Sequence, residues 1–274
     1  MSLYFIFLVG CPGSGKSTLA QQIISISFTK FEFSTDLFAL KEIFVINDIM
    51  IDIIQNRRSA EEIENSFLHL LHTTIFWKDL LEERIKHLQR GEIRIDQLET
   101  ERTKDGGYRI LKPRLWDEAL YRSIGLLKSD KCYLFEFSRG RDQKYMQEFK
   151  ISSEEIYLRC FTLIFHANPR VTANNSLIIH ISASRAERER RNQNRKILGE
   201  PYVSHQVMEE VYGCDVFSFE KDAKLSLLDG FLSPRLPIPV ISIDNTLPNP
   251  AQNFAGVINH IEIIVQSLTN WFRL

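Results

Sequence analysis

Short apolar runs recur along the chain, and polar or turn-forming residues bound each of them. Such runs are typical of strands that are buried on both faces in a parallel sheet. The first run, residues 3–9, ends at a cluster of glycines. The same pattern predicts further strands at 31–33, 132–137, 177–181 and 239–243.

Between these runs, apolar residues return every three or four positions, which predicts helices. The longest helical pattern covers 37–90, and within it Ser59 and Glu62 have the spacing of a capping box. The polar stretch 91–112 contains an Asp-Gly-Gly turn signal and predicts a hairpin or a loop. Strands that alternate with helices indicate an α/β fold with a mostly parallel sheet. The remaining predicted helices are 16–27, 116–127, 184–196 and 250–269, and 142–175 reads as a helix followed by a loop.

A glycine-rich segment joins the first predicted strand to the first predicted helix. It satisfies G-x-x-x-x-G-K-[ST], the P-loop pattern, in the strand–loop–helix setting that the pattern requires. Glycines allow the backbone N–H groups to converge on phosphate oxygens, and the helix directs the positive end of its dipole at the same place. Lysine supplies a cation to the phosphates, and the hydroxyl that follows ligates Mg²⁺. The candidate nucleotide-binding residues are Gly10, Gly13, Ser14, Gly15, Lys16, Ser17 and Thr18.

At these residues the chain resembles the P-loop kinases, the nucleotide-kinase-like and polynucleotide-kinase-like branch of the P-loop NTPases. The resemblance implies a three-layer P-loop NTPase fold within a single domain, 1–274. It implies a helical insertion on the acceptor side at about 37–128 and an arginine-bearing lid helix at 184–196. It also implies that ATP and Mg²⁺ are bound and that the γ-phosphoryl group passes to an acceptor hydroxyl or phosphate.

Two acidic residues follow predicted strands, in the order that this branch uses. By resemblance, Asp36 lies beside the acceptor hydroxyl and orients it or takes its proton. Glu136, at the end of the CYLFEF run, either holds Mg²⁺ together with Ser17 or acts as the base. Lys16, Asp36 and Glu136 are therefore candidate catalytic residues, and the sequence leaves open which carboxylate is the base.

The charged helix 184–196 is similar to the lid of P-loop kinases, in which paired arginines reach the phosphoryl group in transfer. Arg191 and Arg195 are the candidates for this role, and Arg188 shares their helix face. Glu187 has the i,i+4 spacing for an ion pair with Arg191, and any solvated helix carries pairs of this kind. The polar turn after the last strand, 241–246, is a candidate for contact with the adenine.

The acceptor is not specified by any motif. Five cations are candidates for binding an anionic acceptor, and surface charge explains them equally well: Arg109, Lys112, Arg114, Arg139 and Arg141. A small metabolite, a nucleoside or a nucleotide all fit, and a nucleic-acid end is an open but less favoured alternative. Oligomeric state is not readable from the sequence.

Composition removes several classes of function. The formal net charge of -1 over 274 residues argues against a globally basic nucleic-acid binder. Four scattered cysteines without a CxxC pair give no support to a zinc site, and no apolar run reaches the length of a membrane span. The sequence therefore predicts a soluble cytoplasmic protein. The chain lacks the N/T-K-x-D motif by which GTPases bind guanine, and it lacks the four hydrophobic residues followed by Asp-Glu that are typical of mechanical ATPases. A P-loop ATPase or a regulatory nucleotide-binding protein is therefore the weaker alternative.

Overall fold

The computed structural model describes residues 5–26, 30–128, 131–199, 202–217, 224–225, 238–246 and 254. Its strands, numbered in chain order, are β1 (Phe5–Val9), β2 (Phe31–Thr35), β3 (Thr100–Arg102), β4 (Tyr108–Ile110), β5 (Cys132–Phe137), β6 (Ser176–Ser182), β7 (Lys224–Leu225) and β8 (Ile238–Asp244). Its α-helices are α1 (Lys16–Ile26), α2 (Leu37–Ile54), α3 (Ala60–Thr73), α4 (Lys78–Gln89), α5 (Arg114–Gly125), α6 (Gln143–Phe149), α7 (Glu155–Ala167), α8 (Arg185–Ile197) and α9 (His205–Glu210).

The main sheet has the strand order β2-β5-β1-β6-β8-β7. The first five strands in this order are parallel, and β7 pairs antiparallel with β8. The prediction of an α/β fold with a mostly parallel sheet is confirmed. Because β5 lies between β1 and β2, the carboxyl ends of these three strands meet at one edge, where ligands bind in such sheets.

Helices cover both faces of the sheet, because successive side chains of a strand point to opposite sides. Phe5 and Phe7 of β1 share one buried cluster with residues of α5 and α7. Ile6 and Leu8 of the same strand share the opposite cluster with Leu19 of α1. This alternation explains why the strands read as continuous apolar runs, and it produces three layers.

The segment 37–90 is largely helical, as predicted, and is divided into the three helices α2, α3 and α4. The chain leaves the helical conformation at Asn56, whose φ is 51°, and again at Thr74. The capping box predicted from Ser59 and Glu62 is confirmed, with both reciprocal hydrogen bonds present. These helices form a small core of their own around Trp77 and Leu81, and Trp116 packs against both this core and the main sheet.

The remaining connections are short. The stretch 91–112 contains the antiparallel pair β3–β4, so the hairpin alternative is confirmed. The charged helix α8 begins at Ser184, whose side chain accepts a hydrogen bond from the Glu187 N–H. The predicted last helix, 250–269, falls outside the described residues except for residue 254. Among the helices that are described, none combines the length and apolar character that a membrane crossing requires.

Candidate functional site

The glycine-rich loop leaves β1 at its carboxyl end and wraps in front of α1. Gly10 has a φ of 138°, a conformation that side chains rarely permit, and a Cβ there would lie 2.2 Å from the Ile181 carbonyl oxygen. The Ser14 N–H donates to the Cys11 carbonyl at 3.2 Å, which closes the turn. The Ser14 hydroxyl oxygen is buried and has no protein partner in the described part of the chain.

Lys16 begins α1 and turns its side chain back into the loop. Its ammonium donates to the carbonyl oxygens of Gly10 at 2.9 Å and Cys11 at 3.0 Å. Burial lowers the pKa of this ammonium group, and the nearby carboxylate of Glu136 opposes the change. The loop and helix therefore hold a buried cation at the edge of the sheet.

Ser17 and Glu136 lie in direct contact, although they are far apart in sequence. The Ser17 hydroxyl donates to Oε2 of Glu136 at 2.8 Å, and Oε1 of Glu136 lies 3.9 Å from Nζ of Lys16. Strand register brings Glu136 to the loop, because Glu136 pairs with Leu8 near the end of β1 on one side and with Thr35 of β2 on the other. The residues that the sequence pairs as metal ligands are thus brought together.

Asp36 lies at the same edge but forms a buried ion pair. Its Oδ2 accepts a hydrogen bond from Arg139 at 2.7 Å, and both side chains are about 5% exposed or less. Burial raises the pKa of the Asp36 carboxyl, and the guanidinium of Arg139 opposes the rise. Arg139 also donates to the carbonyl oxygen of Trp116 at 2.9 Å. Its guanidinium is therefore engaged within the protein and is not the free anion-binding group that the sequence allowed.

Three arginines of α8 lie in different environments. Arg188 is buried and donates to the Tyr212 carbonyl at 2.7 Å. Arg191 bonds to Glu187 through Nε at 2.7 Å, as the i,i+4 spacing predicted, and its Nη1 donates to the Gly13 and Ser14 carbonyls, each at 3.2 Å. Arg195 lines the cavity described below, and no ion partner for its guanidinium is present among the described residues.

Asn245 is a residue of the site that sequence reasoning did not single out by itself. Its side-chain N–H donates to the Ser14 carbonyl at 2.7 Å, and its own carbonyl accepts from Arg191 at 2.8 Å. A Cβ on Gly15 would lie 2.4 Å from its amide nitrogen. The end of β8 and the two residues after it, 241–246, thus contact the loop through Asn245, and they contribute no residue to the described cavity wall. Its position after a strand was the available signal, but a contact across more than 200 residues has no sequence pattern.

A cavity of about 490 Å³ opens in front of the loop. Gly13, Lys16, Ser17, Asp36, Glu136 and Arg195 line it on the loop side. Residues from the segment 37–128 also line it, and we call this part of the lining the aromatic wall: Leu40, Phe44, Tyr108, Ile110 and Trp116. The helical and strand spacing of these aromatic residues predicts core positions, and only the fold shows that their side chains face a cavity. The segment around α9 completes the enclosure through Tyr202, Val207 and Tyr212.

Most of the cations that were candidates for an anionic acceptor are paired with carboxylates. Arg109 pairs with Glu210, Lys112 lies 3.6 Å from Glu99, and Arg114 lies 2.5 Å from Glu148. These pairs are largely exposed, so each contributes little to stability. Their effect on binding is larger, because a paired guanidinium or ammonium group is less available to an anion.

The two cysteines nearest the site differ in exposure, and we expect them to differ in reactivity. Burial raises the pKa of the Cys11 thiol to about 12, whereas Cys214 is exposed. Since the thiolate is the nucleophile, iodoacetamide at pH 8 is expected to modify Cys214 at least about tenfold faster than Cys11. Peptide mass spectrometry over time measures both rates, with urea-unfolded protein as the control in which both react. Equal rates in the folded protein would contradict the assigned environment of Cys11.

Comparison with known proteins assigns no family to the chain. No family model matches the chain, and no curated protein matches its sequence. One similar solved structure is a Chloroflexus aurantiacus protein named a "putative kinase". Its TM-score is 0.43 at 13% identity, and the match covers 97% of this chain and 97% of that one. A likeness this weak assigns neither a family nor an activity. The parallel α/β architecture of this chain follows from its own strand pairing.

Proposed function

We propose that the protein is a P-loop kinase, an enzyme that transfers the γ-phosphoryl group of ATP to an acceptor hydroxyl. One observation carries the proposal: the Ser17 hydroxyl and Glu136 carboxylate meet at 2.8 Å beside the buried Lys16, within a cavity that continues to a second wall. An enzyme that only hydrolyses ATP has no need of this second wall, whereas a kinase must hold an acceptor there.

The loop residues fit a nucleoside triphosphate. Positive φ angles at Gly10, Gly13 and Gly15 allow a loop of inward N–H groups, and α1 begins directly behind them. The buried Ser14 hydroxyl, which lacks a partner among the described residues, supplies a further polar group at this position. Lys16 would exchange its hydrogen bonds to loop carbonyls for bonds to phosphate oxygens, whose negative charge would pair with its ammonium group.

The donor set at the sheet edge fits Mg²⁺. A serine hydroxyl and a carboxylate are hard oxygen ligands, and Mg²⁺ is commonly held by only one or two protein groups plus waters and phosphates. Ser17 and Glu136 would hold the ion or its waters. When bound, Mg²⁺ offsets the negative charge of the phosphate oxygens.

In the proposed transfer, the acceptor oxygen forms a bond to the γ-phosphorus while the bond to the β–γ bridging oxygen breaks. ADP leaves with that oxygen, and the acceptor proton passes to a carboxylate. Asp36 is held in place by Arg139, which suits it to orient the acceptor, while Glu136 is closer to Lys16 and Ser17. Arg195 lines the cavity and would neutralise charge that develops on the γ-oxygens, and Arg191 would hold the loop through its bond to the Gly13 carbonyl.

ADP release from MgATP tests the proposal directly. We expect slow release from the protein alone and strong stimulation by at least one pool of hydroxyl compounds, with equimolar phosphorylated product detected by mass spectrometry. Steady release that no pool changes would contradict the kinase assignment and favour an ATPase. The absence of both nucleotide binding and release would contradict any nucleotide-dependent function.

We expect Glu136→Gln and Ser17→Ala each to raise the Mg²⁺ concentration for half-maximal turnover by about 10-fold or more, because each removes an oxygen from the ion or its waters. Titration of MgCl₂ at fixed ATP measures this shift. The matched control is Glu82→Gln, which alters an exposed carboxylate on α4. A reduced maximal rate with an unchanged Mg²⁺ requirement would assign Glu136 to proton transfer instead.

A further inference from the structure

We propose that the acceptor is an uncharged hydroxyl compound with a planar ring, which packs on the aromatic wall with its hydroxyl toward Asp36 and Glu136. The inference rests on the proposed function and specifies its acceptor. The aromatic wall and the two carboxylates line the same cavity, so one small molecule can contact both. The cavity volume of about 490 Å³ lies within the range of small-molecule sites.

The aromatic wall is held rigidly while part of it stays exposed. The rings of Phe44 and Tyr108 stack at a centroid distance of 4.2 Å with an interplanar angle of 6°. Tyr108 is fixed in turn, because its hydroxyl donates to Asp48 at 2.5 Å and the Arg102 guanidinium lies 4.6 Å from its ring centroid. Phe44 is therefore a preorganised apolar surface, which lowers the entropic cost of binding a flat ring.

Trp116 adds a second aromatic surface to the wall. The guanidinium of Arg139 lies 5.1 Å from its ring centroid, which holds the indole in place. Its indole N–H has no acceptor in the described part of the chain, whereas the buried Trp77 donates to the Ala39 carbonyl at 2.6 Å. Trp116 therefore provides an apolar ring and an uncommitted hydrogen-bond donor, which suits a neutral ligand with polar substituents.

The charges around the wall disfavour an anionic acceptor. Arg109 is bonded to Glu210, and Arg139, outside the lining, is bonded to Asp36, so both guanidinium groups already have carboxylate partners. Lys144 and Asp142 also line the cavity, and their charges balance. Since Lys16 and Arg195 are assigned to the ATP phosphates, the rest of the lining holds no excess of positive charge for an acceptor phosphate. The observations therefore favour an acceptor without charge.

A matched set of probes tests the inference: uridine, uridine 3′-monophosphate, phenylethanol and glycerol. Uridine and its 3′-monophosphate share a ring and a free 5′-hydroxyl, and only the second is anionic. Phenylethanol is neutral with a ring, and glycerol is neutral without one. Binding in the presence of MgADP is measured by saturation-transfer NMR and calorimetry. We expect uridine to bind at least about 10-fold more tightly than its 3′-monophosphate, and phenylethanol to bind more tightly than glycerol.

Variants of the wall locate the binding. Phe44→Ala and Phe44→Leu are expected to weaken uridine binding by about 5-fold or more, as loss of a stacking ring does, while Phe44→Tyr retains it. The KM for MgATP is expected to stay the same in all three. Val45→Ala is the matched control, since Val45 is the next residue of α2, is exposed and does not line the cavity. Thermal unfolding verifies that each variant is folded.

The outcomes separate this inference from the kinase assignment. Equal or tighter binding of uridine 3′-monophosphate overturns the inference, even if ADP release shows a kinase. An equal effect of Phe44→Leu on the KM values of acceptor and ATP also overturns it, because Phe44 would then be structural. If no probe or pool stimulates ADP release but the neutral rings still bind in a Phe44-dependent manner, the ring site is supported and the kinase assignment fails.

Discussion

Turnover of MgATP is expected to fall about 100- to 1,000-fold when Lys16 is replaced by alanine or methionine. The ammonium of Lys16 is buried inside the loop, 3.9 Å from Glu136, and nothing else in the described loop supplies a fixed cation at this depth. In the proposed function, its loss would remove the cation that stabilises charge on the β- and γ-phosphates. Lys16→Met keeps the aliphatic volume, so the two variants separate loss of charge from loss of packing.

Stimulated ADP release is the readout for this prediction, with circular dichroism and thermal unfolding as the tests of folding. Lys86→Ala is the control, since Lys86 is exposed on α4 and does not line the cavity. Its turnover is expected to match the parent protein. Retention of more than about a tenth of the parental rate by both Lys16 variants would contradict the proposed site, given the effect expected for such a group.

The second large effect concerns stability. Arg139→Met is expected to lower the free energy of unfolding by about 3–5 kcal/mol, because it leaves the Asp36 carboxylate buried without its partner. Both side chains are almost completely buried, and their bond is 2.7 Å long. Asp36→Leu combined with Arg139→Met removes both charges and is expected to recover most of the loss. Urea unfolding followed by tryptophan fluorescence measures all three proteins.

Arg141→Met provides the control for this prediction. Arg141 is exposed, and the effect of its replacement is expected to stay within about 0.5 kcal/mol. An Arg139→Met variant no less stable than this control would show that the ion pair is not formed in solution.

The pH dependence of the Arg139→Met variant follows from the same pair. Burial raises the pKa of the Asp36 carboxyl, and removal of Arg139 takes away the group that opposes this rise. A carboxyl whose pKa is higher in the folded state binds its proton more tightly there. The stability it contributes is present below its ordinary pKa and is lost as the pH rises through the raised value. The deficit of the variant is therefore expected to grow with pH across that window, and a pH-independent deficit would contradict this account.

Local patterns predicted the strands because burial on two faces demands continuous apolar runs. The run 132–137 became β5 and the run 177–181 became β6 with one added residue at each end. The same periodicity could not divide 37–90 into three helices. Asn tolerates the φ of 51° at residue 56, and the Ser59 capping box marked the start of α3, but periodicity gave no sign that α3 ends near Thr74.

In the site, too, local patterns predicted some features and left others to the tertiary structure. The P-loop pattern alone indicated Lys16 and Ser17, and acids after apolar strands indicated Asp36 and Glu136. The sequence could not show that Asp36 is bound to Arg139, nor that Arg191 reaches back to the loop carbonyls. Each of these contacts joins residues that are more than 100 positions apart, and no spacing rule applies to such pairs.

The sequence by itself determined the parallel α/β character of the protein, the glycine-rich loop and the acids that follow its strands. These features depend on residue type and short spacing, which physical rules relate directly to local structure. The tertiary structure alone decided which charges remain available and which surface faces the cavity. Periodicity marks Phe44 and Trp116 as apolar positions, but whether such a ring lies in a core or on a cavity wall depends on what packs across from it.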